Sequence, residues 1–134
     1  MEGVILFVDP ELNPRELSPL VLAYVGDAVY ELYIRTKLAA YPAKMHKLHR
    51  MAVQYVQASR QAEIVHAWEP ELTEDERNIV RRGRNAKGGM SYRGDAVEYR
   101  YSTGLEALIG YLYLTGQTGR LAELLGTIDP TQDS

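Results

Sequence analysis

A chain of 134 residues and 15.1 kDa is long enough to bury a hydrophobic core within a single domain. Its 46% apolar and 25% charged residues are typical of a soluble globular protein, and the absence of cysteine excludes disulfides and thiolate zinc sites. The apolar run from Val4 to Val8 is too short for a signal peptide or a membrane span. We therefore expect a cytoplasmic protein that does not act at a membrane.

The net charge of −3 conceals two blocks of positive charge. Residues 32–62 contain six Lys or Arg and no acid, and residues 77–94 again contain six and no acid. These blocks hold 12 of the 15 basic residues, so the remainder carries three basic residues against 18 acids. Such segregation is typical of polyanion binding, although two solvated helix faces would produce the same pattern.

Helix signals recur along the chain and no strand pattern is found, so the predicted fold class is an all-α helical bundle. Residues 1–16 are predicted to be an extended lead-in, residues 17–128 the folded domain, and residues 129–134 a polar tail. The predicted helices run from Pro19 to about Leu38, from about Ala43 past Tyr55, from Ser59 to Trp68, from Thr73 to Arg84, from Asp95 to about Thr115 and from Arg120 to Leu125.

Local signals set several of these boundaries. Ser18 is a good N-cap and Pro19 is favoured at the first helical position. Thr73 and Glu76 have the spacing of a capping box at the start of the fourth helix. Residues 85–94, with three glycines, are predicted to form a loop between the fourth and fifth helices.

Two predicted helices are apolar on nearly every face, and each contains an isolated acid. Asp27 lies in the first helix and Glu106 in the fifth, and a helix that is apolar all round is usually buried. A buried carboxylate needs a partner, so we expect the two acids either to meet and bind a divalent cation or to pair separately with caps or arginines. Mg²⁺ suits the first case because it binds few carboxylates and retains several waters.

The sequence around both acids resembles a known family. Tyr24 to Leu32, YVGDAVYEL, resembles the signature helix of the ribonuclease III family, which typically contains Phe-Leu-Gly-Asp-Ala-Val-Leu-Glu. Leu105 to Leu114, LEALIGYLYL, resembles the second catalytic helix of the family, where Glu-Ala-Leu-Ile-Gly is characteristic. The two motifs occur in the family's order, and the resemblance extends from Leu17 to about Ile128.

The resemblance is closer to the Mini-ribonuclease III branch, a catalytic domain without a double-stranded-RNA-binding domain. Residues 81–87, RRGRNAK, and residues 101–106, YSTGLE, are similar to that branch. Ribonuclease III places two acids on each helix, one turn apart, whereas this chain has Ala23 before Asp27 and Thr103 before Glu106. The resemblance therefore implies a reduced site with one acid from each helix.

The resemblance implies an endoribonuclease that hydrolyses phosphodiester bonds in double-stranded RNA, with Asp27 and Glu106 as catalytic residues and metal ligands. It implies Mg²⁺ as cofactor, with Mn²⁺ as a substitute, and no small-molecule cofactor. It also implies a homodimer, a role in 23S ribosomal RNA maturation and possible help from a ribosomal protein. The alternatives are a catalytically silent RNA-binding scaffold on the ribosome and an all-α protein-interaction module.

The two basic blocks are the predicted RNA-binding surfaces, since A-form RNA is recognised through shape, phosphates and 2′-hydroxyls. We favour the block around the glycine-rich loop over the block on the second helix. Glu31, one turn after Asp27, is either a further acid of the site or the partner of a nearby base. The predicted RNA-binding residues are Arg81, Arg82, Arg84, Lys87 and Arg93 at the loop, and Lys44, Lys47 and Arg50 on the second helix.

Overall fold

A computed structural model of the chain describes residues 7–86 and 96–132, and the regular structure within these ranges is entirely helical. Two short 3₁₀ helices, Pro14–Glu16 and Glu69–Glu71, accompany six α-helices. No helix in the described ranges is long and apolar enough to cross a membrane. The α-helices are α1 (Pro19–Ala39), α2 (Met45–Val56), α3 (Ala58–Trp68), α4 (Glu74–Arg84), α5 (Ala96–Leu114) and α6 (Thr118–Leu125).

The predicted all-α fold is confirmed, and the helix starts follow the caps expected from the sequence. The Ser18 hydroxyl accepts a hydrogen bond from the Val21 amide at 3.2 Å, with Pro19 as the first residue of α1. At α4 the Thr73 hydroxyl accepts from the Glu76 amide, and the Glu76 carboxylate accepts from the Thr73 amide. Both caps satisfy amides that a helix N-terminus would otherwise leave unpaired.

Helix α5 forms the centre of the bundle, and α1, α3 and α4 pack around it. Every residue from Ser102 to Leu112 is buried except Glu106, which is half-buried. Burying each large apolar side chain of this helix contributes about 1.5–3 kcal/mol to folding. The single acid in this buried run thus lies where α5 reaches the edge of the packed interior.

Helices α1 and α5 cross with almost no space between their backbones. A Cβ atom added to Gly26 would lie 1.7 Å from the carbonyl oxygen of Glu106, and one added to Gly110 would lie 2.0 Å from that of Leu22. Real Cβ contacts are never this short, so the crossing requires glycine on both helices. This approach explains the glycine in each of the two sequence motifs.

The expectation that α1 is buried all round is wrong. Tyr30 is completely buried and donates a hydrogen bond to the Tyr55 carbonyl, but Tyr24 is 81% exposed and Leu32 is 65% exposed. Leu20 and Val21 are also exposed, and they share a helix face with Tyr24. The single chain therefore leaves an apolar face of α1 in contact with solvent, and packing within its own core does not explain this face.

The C-terminal part of the chain is held to the bundle by polar contacts. Arg120 of α6 pairs with the buried Glu76 of α4 at 2.8 Å, and the Arg120 guanidinium holds the pKa of that carboxyl below its usual value. The Tyr33 hydroxyl donates to the Ile128 carbonyl at 2.8 Å, and Pro130 is buried beyond it. The first residues of the predicted polar tail therefore pack against the domain.

Candidate active site

The crossing of α1 and α5 brings Asp27 and Glu106 together. Asp27 directly follows Gly26, and Gly26 packs against the carbonyl of Glu106 itself. The two carboxyls are near enough that the charge of Asp27 contributes to the raised pKa of Glu106. Asp27 is exposed and Glu106 is half-buried, so the pair opens to solvent on one side. The helix crossing thus brings the positions of the two acids close together, and their role as metal ligands and catalytic residues stays a prediction.

The environment of Glu106 strongly disfavours its charged form. Burial raises the pKa of Glu106 to about 8, with further contributions from the charge of Asp27, from the hydrogen bond to Asp27 and from the charge of Glu31. The amide of Gln61 acts in the opposite direction and lowers this pKa. Two carboxylates this close cannot both ionise cheaply, so the pair holds a proton at neutral pH unless another cation replaces it.

The two positions where the family has further acids are closed in this chain. Ala23 is buried, and the buried Thr103 donates its hydroxyl to the Tyr99 carbonyl of its own helix at 3.1 Å. Glu31 forms an ion pair with Arg35 at 3.8 Å, so the interpretation of Glu31 as the partner of a base is confirmed. In the described ranges, no three or more His, Cys, Asp and Glu side chains cluster as metal ligands.

The Asp27–Glu106 pair fits a divalent cation that takes few protein ligands. Both donors are hard carboxylate oxygens, and a bound cation would relieve the repulsion between their charged forms. The exposed side of the pair leaves room for water and for a substrate phosphate in the remaining coordination positions. Mg²⁺, or Mn²⁺ in its place, is the cation class that these residues suit.

One residue beside the pair was absent from the sequence prediction. Gln61 is 1% exposed, and its amide is close enough to Glu106 to affect the carboxyl. The sequence does indicate that Gln61 is buried, because it precedes Val65 and Trp68 at the spacing of one buried helix face. A polar side chain in an apolar stripe needs partners, and here the partners lie at the site.

The predicted RNA-binding residues fall into three groups. Lys44, Lys47 and Arg50 are exposed on and just before α2, with the Lys47 ammonium 5.8 Å from the centre of the Tyr41 ring. The second group lies in the last turn of α4, where Arg81 is exposed and Arg82 and Arg84 are half-buried. The third group, Lys87 and Arg93, lies outside the described residues.

One arginine of the second group is held by aromatic side chains. The Arg84 guanidinium lies 5.4 Å from the centre of the Tyr101 ring and donates to the Tyr101 hydroxyl at 3.4 Å. The His66 ring also packs against Tyr101, with the two ring centres 4.3 Å apart. Arg84 is therefore partly used for packing, and its role in RNA binding stays a prediction.

Comparison with known proteins identifies relatives over most of the chain. Residues 20–117 match the model of the ribonuclease III domain. The chain is 54% identical over 115 residues to Mini-ribonuclease 3 of Symbiobacterium thermophilum, covering 84% of this chain and 88% of the relative. It is 50% identical over 117 residues to Mini-ribonuclease 3 of Desulfitobacterium hafniense, covering 86% of this chain and 74% of the relative.

The fold has a counterpart among solved structures. A crystal structure of a protein from Fusobacterium nucleatum superposes with a TM-score of 0.77 at 29% sequence identity, covering 84% of this chain and 92% of that one. The chain belongs to the ribonuclease III family and, within it, to the Mini-ribonuclease 3 group. The match favours an endoribonuclease over the silent scaffold and the protein-interaction module.

Proposed function

We propose that this protein is a Mg²⁺-dependent endoribonuclease that cleaves double-stranded RNA, and that Asp27 and Glu106 are its metal ligands and catalytic residues. The observation that carries this proposal is the meeting of the two carboxylates at the α1–α5 crossing. The natural substrate we propose is precursor 23S ribosomal RNA in the cytoplasm, with a ribosomal protein as a possible partner. This finer assignment is supported by the resemblance to Mini-ribonuclease III.

The proposed reaction is hydrolysis of a phosphodiester. Water attacks phosphorus, one P–O ester bond breaks, and the strand ends as a hydroxyl and a phosphate monoester. A bound Mg²⁺ supplies charge stabilisation on the phosphate and a more acidic water. Asp27, which is exposed, is the ligand that an incoming RNA backbone can approach, while the half-buried Glu106 fixes the inner side of the site.

Cleavage of a long RNA duplex tests this function directly. We expect wild-type protein to fragment the duplex in Mg²⁺ or Mn²⁺ and to leave it intact in EDTA, since two carboxylates alone provide no electrophile for the phosphate. The control substrate is single-stranded RNA of the same length, and its products are analysed on the same denaturing gel. An intact duplex in Mg²⁺, with duplex binding retained, would instead support the scaffold.

We also propose that the two basic blocks supply the RNA affinity. Lys44, Lys47 and Arg50 are exposed, so replacing all three with alanine should weaken duplex binding and reduce the slope of log K against log salt by about 1 per lost phosphate contact. Fluorescence anisotropy in EDTA measures binding without cleavage. Arg15→Ala is the control, because Arg15 lies outside both blocks and stacks on Tyr111. An unchanged slope in the triple variant would assign binding to the other block.

The exposed face of α1 is the surface on which we propose a homodimer. Tyr24 and Leu32 are large apolar residues in contact with solvent, and such faces usually mark an interface. A second copy can cover the face with the same surface by two-fold symmetry. Since Asp27 lies on the same helix, this dimer would set the spacing of the two sites.

The proposed dimer can be tested by the mass of the particle in solution. Tyr24→Glu should convert a particle of about 30 kDa, twice the 15.1 kDa chain, into a monomer, because it buries an unpaired charge in the interface. Light scattering after size-exclusion chromatography measures this mass. Met45→Glu is the matched control, since Met45 is 71% exposed on α2 and should leave the dimer intact. Monomeric wild-type protein at micromolar concentration would refute the dimer.

A further inference from the structure

Four polar residues are buried in the described part of the chain, and three of them have partners that account for their burial. Glu76 is paired with Arg120 and with the Thr73 cap, and Thr103 bonds to its own helix. Ser102 donates its hydroxyl to the Oε1 atom of Gln61. In Gln61, the amide nitrogen is the polar atom whose burial is not yet explained by a partner.

The nitrogen of Gln61 has no hydrogen-bond acceptor of good geometry. Among the described residues, Nε2 of Gln61 is the only fully buried side-chain nitrogen or oxygen in this condition. Leaving such a donor unused costs about 1–3 kcal/mol, so a core helix would not keep it without a function or an acceptor. An apolar residue of similar size would pack at this position without that cost.

The orientation of the amide follows from its contact with Ser102. Because Ser102 occupies the amide oxygen, the nitrogen is directed away from Ser102. Ser102 and Glu106 are four residues apart, so they share a face of α5 and lie one turn from each other. The carboxylate one turn along this face is that of Glu106, which is half-buried.

We propose that Gln61 is a positioning residue for the metal site, in which its Nε2 donates to ionised Glu106 and holds that carboxylate in its metal-binding orientation. Ser102 acts behind it by fixing which end of the amide faces Glu106. The inference rests on the proposed function of the Asp27–Glu106 pair. In a site with only two protein ligands, the orientation of each ligand has a large share in metal affinity.

Gln61→Met tests this role because it keeps most of the side-chain volume and removes the donor. We expect the Mg²⁺ concentration for half-maximal duplex cleavage to rise about tenfold or more. The KM for RNA at saturating Mg²⁺ should stay within a factor of two. Mn²⁺ binding to the RNA-free protein, followed by electron paramagnetic resonance, should weaken in parallel.

Two further variants separate positioning from folding. Ser102→Ala removes only a hydroxyl and should shift the Mg²⁺ dependence in the same direction, even if Gln61→Met proves unstable. Val65→Ala, on the same buried face of α3, should lower the melting temperature and leave the Mg²⁺ dependence unchanged.

The outcomes distinguish the two proposals. Suppose that the wild-type protein cleaves in Mg²⁺ and that both Gln61→Met and Ser102→Ala have the same Mg²⁺ dependence as the wild type. The positioning role of Gln61 is then refuted, and the proposed function stands. If Val65→Ala shifts the Mg²⁺ dependence as much as Gln61→Met, the effect is structural and the role is again refuted. Wild-type protein that neither cleaves nor binds Mn²⁺ overturns the proposed function, and this inference with it.

Discussion

Gly110→Ala is expected to prevent the chain from folding. The added Cβ would lie 2.0 Å from the Leu22 carbonyl oxygen, and both groups belong to helix backbones that cannot rotate away. Helices α1 and α5 would have to separate along the most extensive contact in the bundle. A loss of at least about 4 kcal/mol is expected, which is comparable to the whole stability of a small domain. Circular dichroism during thermal and urea unfolding measures the effect.

Gly119→Ala is the matched control for this prediction. A Cβ on Gly119 of α6 would meet no atom within 4 Å, so alanine should be neutral or should stabilise the helix by up to about 1 kcal/mol. Gly26→Ala should fail as Gly110→Ala does, because its Cβ would strike the backbone of Glu106. If Gly110→Ala unfolds at the wild-type temperature, the backbone contact at the crossing is not essential.

Most of the fold could be predicted from the sequence because its helices carry local signals. The Ser18–Pro19 start and the Thr73–Glu76 capping box depend on neighbouring residues only, and both are present as expected. An isolated acid in each of two apolar helices requires a partner, so the sequence indicated the meeting of Asp27 and Glu106 as one of two alternatives. The resemblance to the ribonuclease III family then indicated that these two helices form one site.

Properties that depend on packing could not be predicted in this way. The sequence pattern of an apolar residue is the same whether the residue faces its own core or a second copy. The sequence therefore could not show that Tyr24 and Leu32 are exposed in the single chain. Gln61 gave only a weak signal, since its role depends on Ser102 and Glu106 more than 40 residues away. The closeness of the α1–α5 crossing follows from Gly26 and Gly110 only once their helices are known to be neighbours.

Glu106→Gln is expected to stabilise the metal-free protein at alkaline pH. The pKa of Glu106 is about 8 in the folded protein against 4.5 ordinarily, so the folded form keeps a proton that the unfolded chain has lost between these values. The wild-type protein should therefore lose a few kcal/mol of stability as pH rises from about 4.5 to 8, or about 10 °C in melting temperature. The glutamine side chain cannot ionise, so the Glu106→Gln variant should lose much less stability over the same pH range.

Calorimetry in EDTA at several pH values measures this difference. Wild type and Glu106→Gln should melt at similar temperatures near pH 5 and diverge toward pH 9. Adding Mg²⁺ at pH 8 should raise the melting temperature of the wild type alone, because the cation replaces the proton between the carboxylates. Equal melting curves at all pH values would mean that the pKa of Glu106 is not raised in the folded protein.

The same substitution is expected to abolish cleavage, so stability and activity should move in opposite directions. Glu106→Gln and Asp27→Asn each remove one of two metal ligands, and each should slow Mg²⁺-dependent duplex cleavage by about 10³-fold or more. Glu31→Gln is the matched control, because Glu31 pairs with Arg35 and should change the rate only a few-fold. A Glu106→Gln variant that still cleaves in Mg²⁺ would refute the two-carboxylate site. A variant that is more stable and inactive would show that the repulsion between these acids is retained for metal binding.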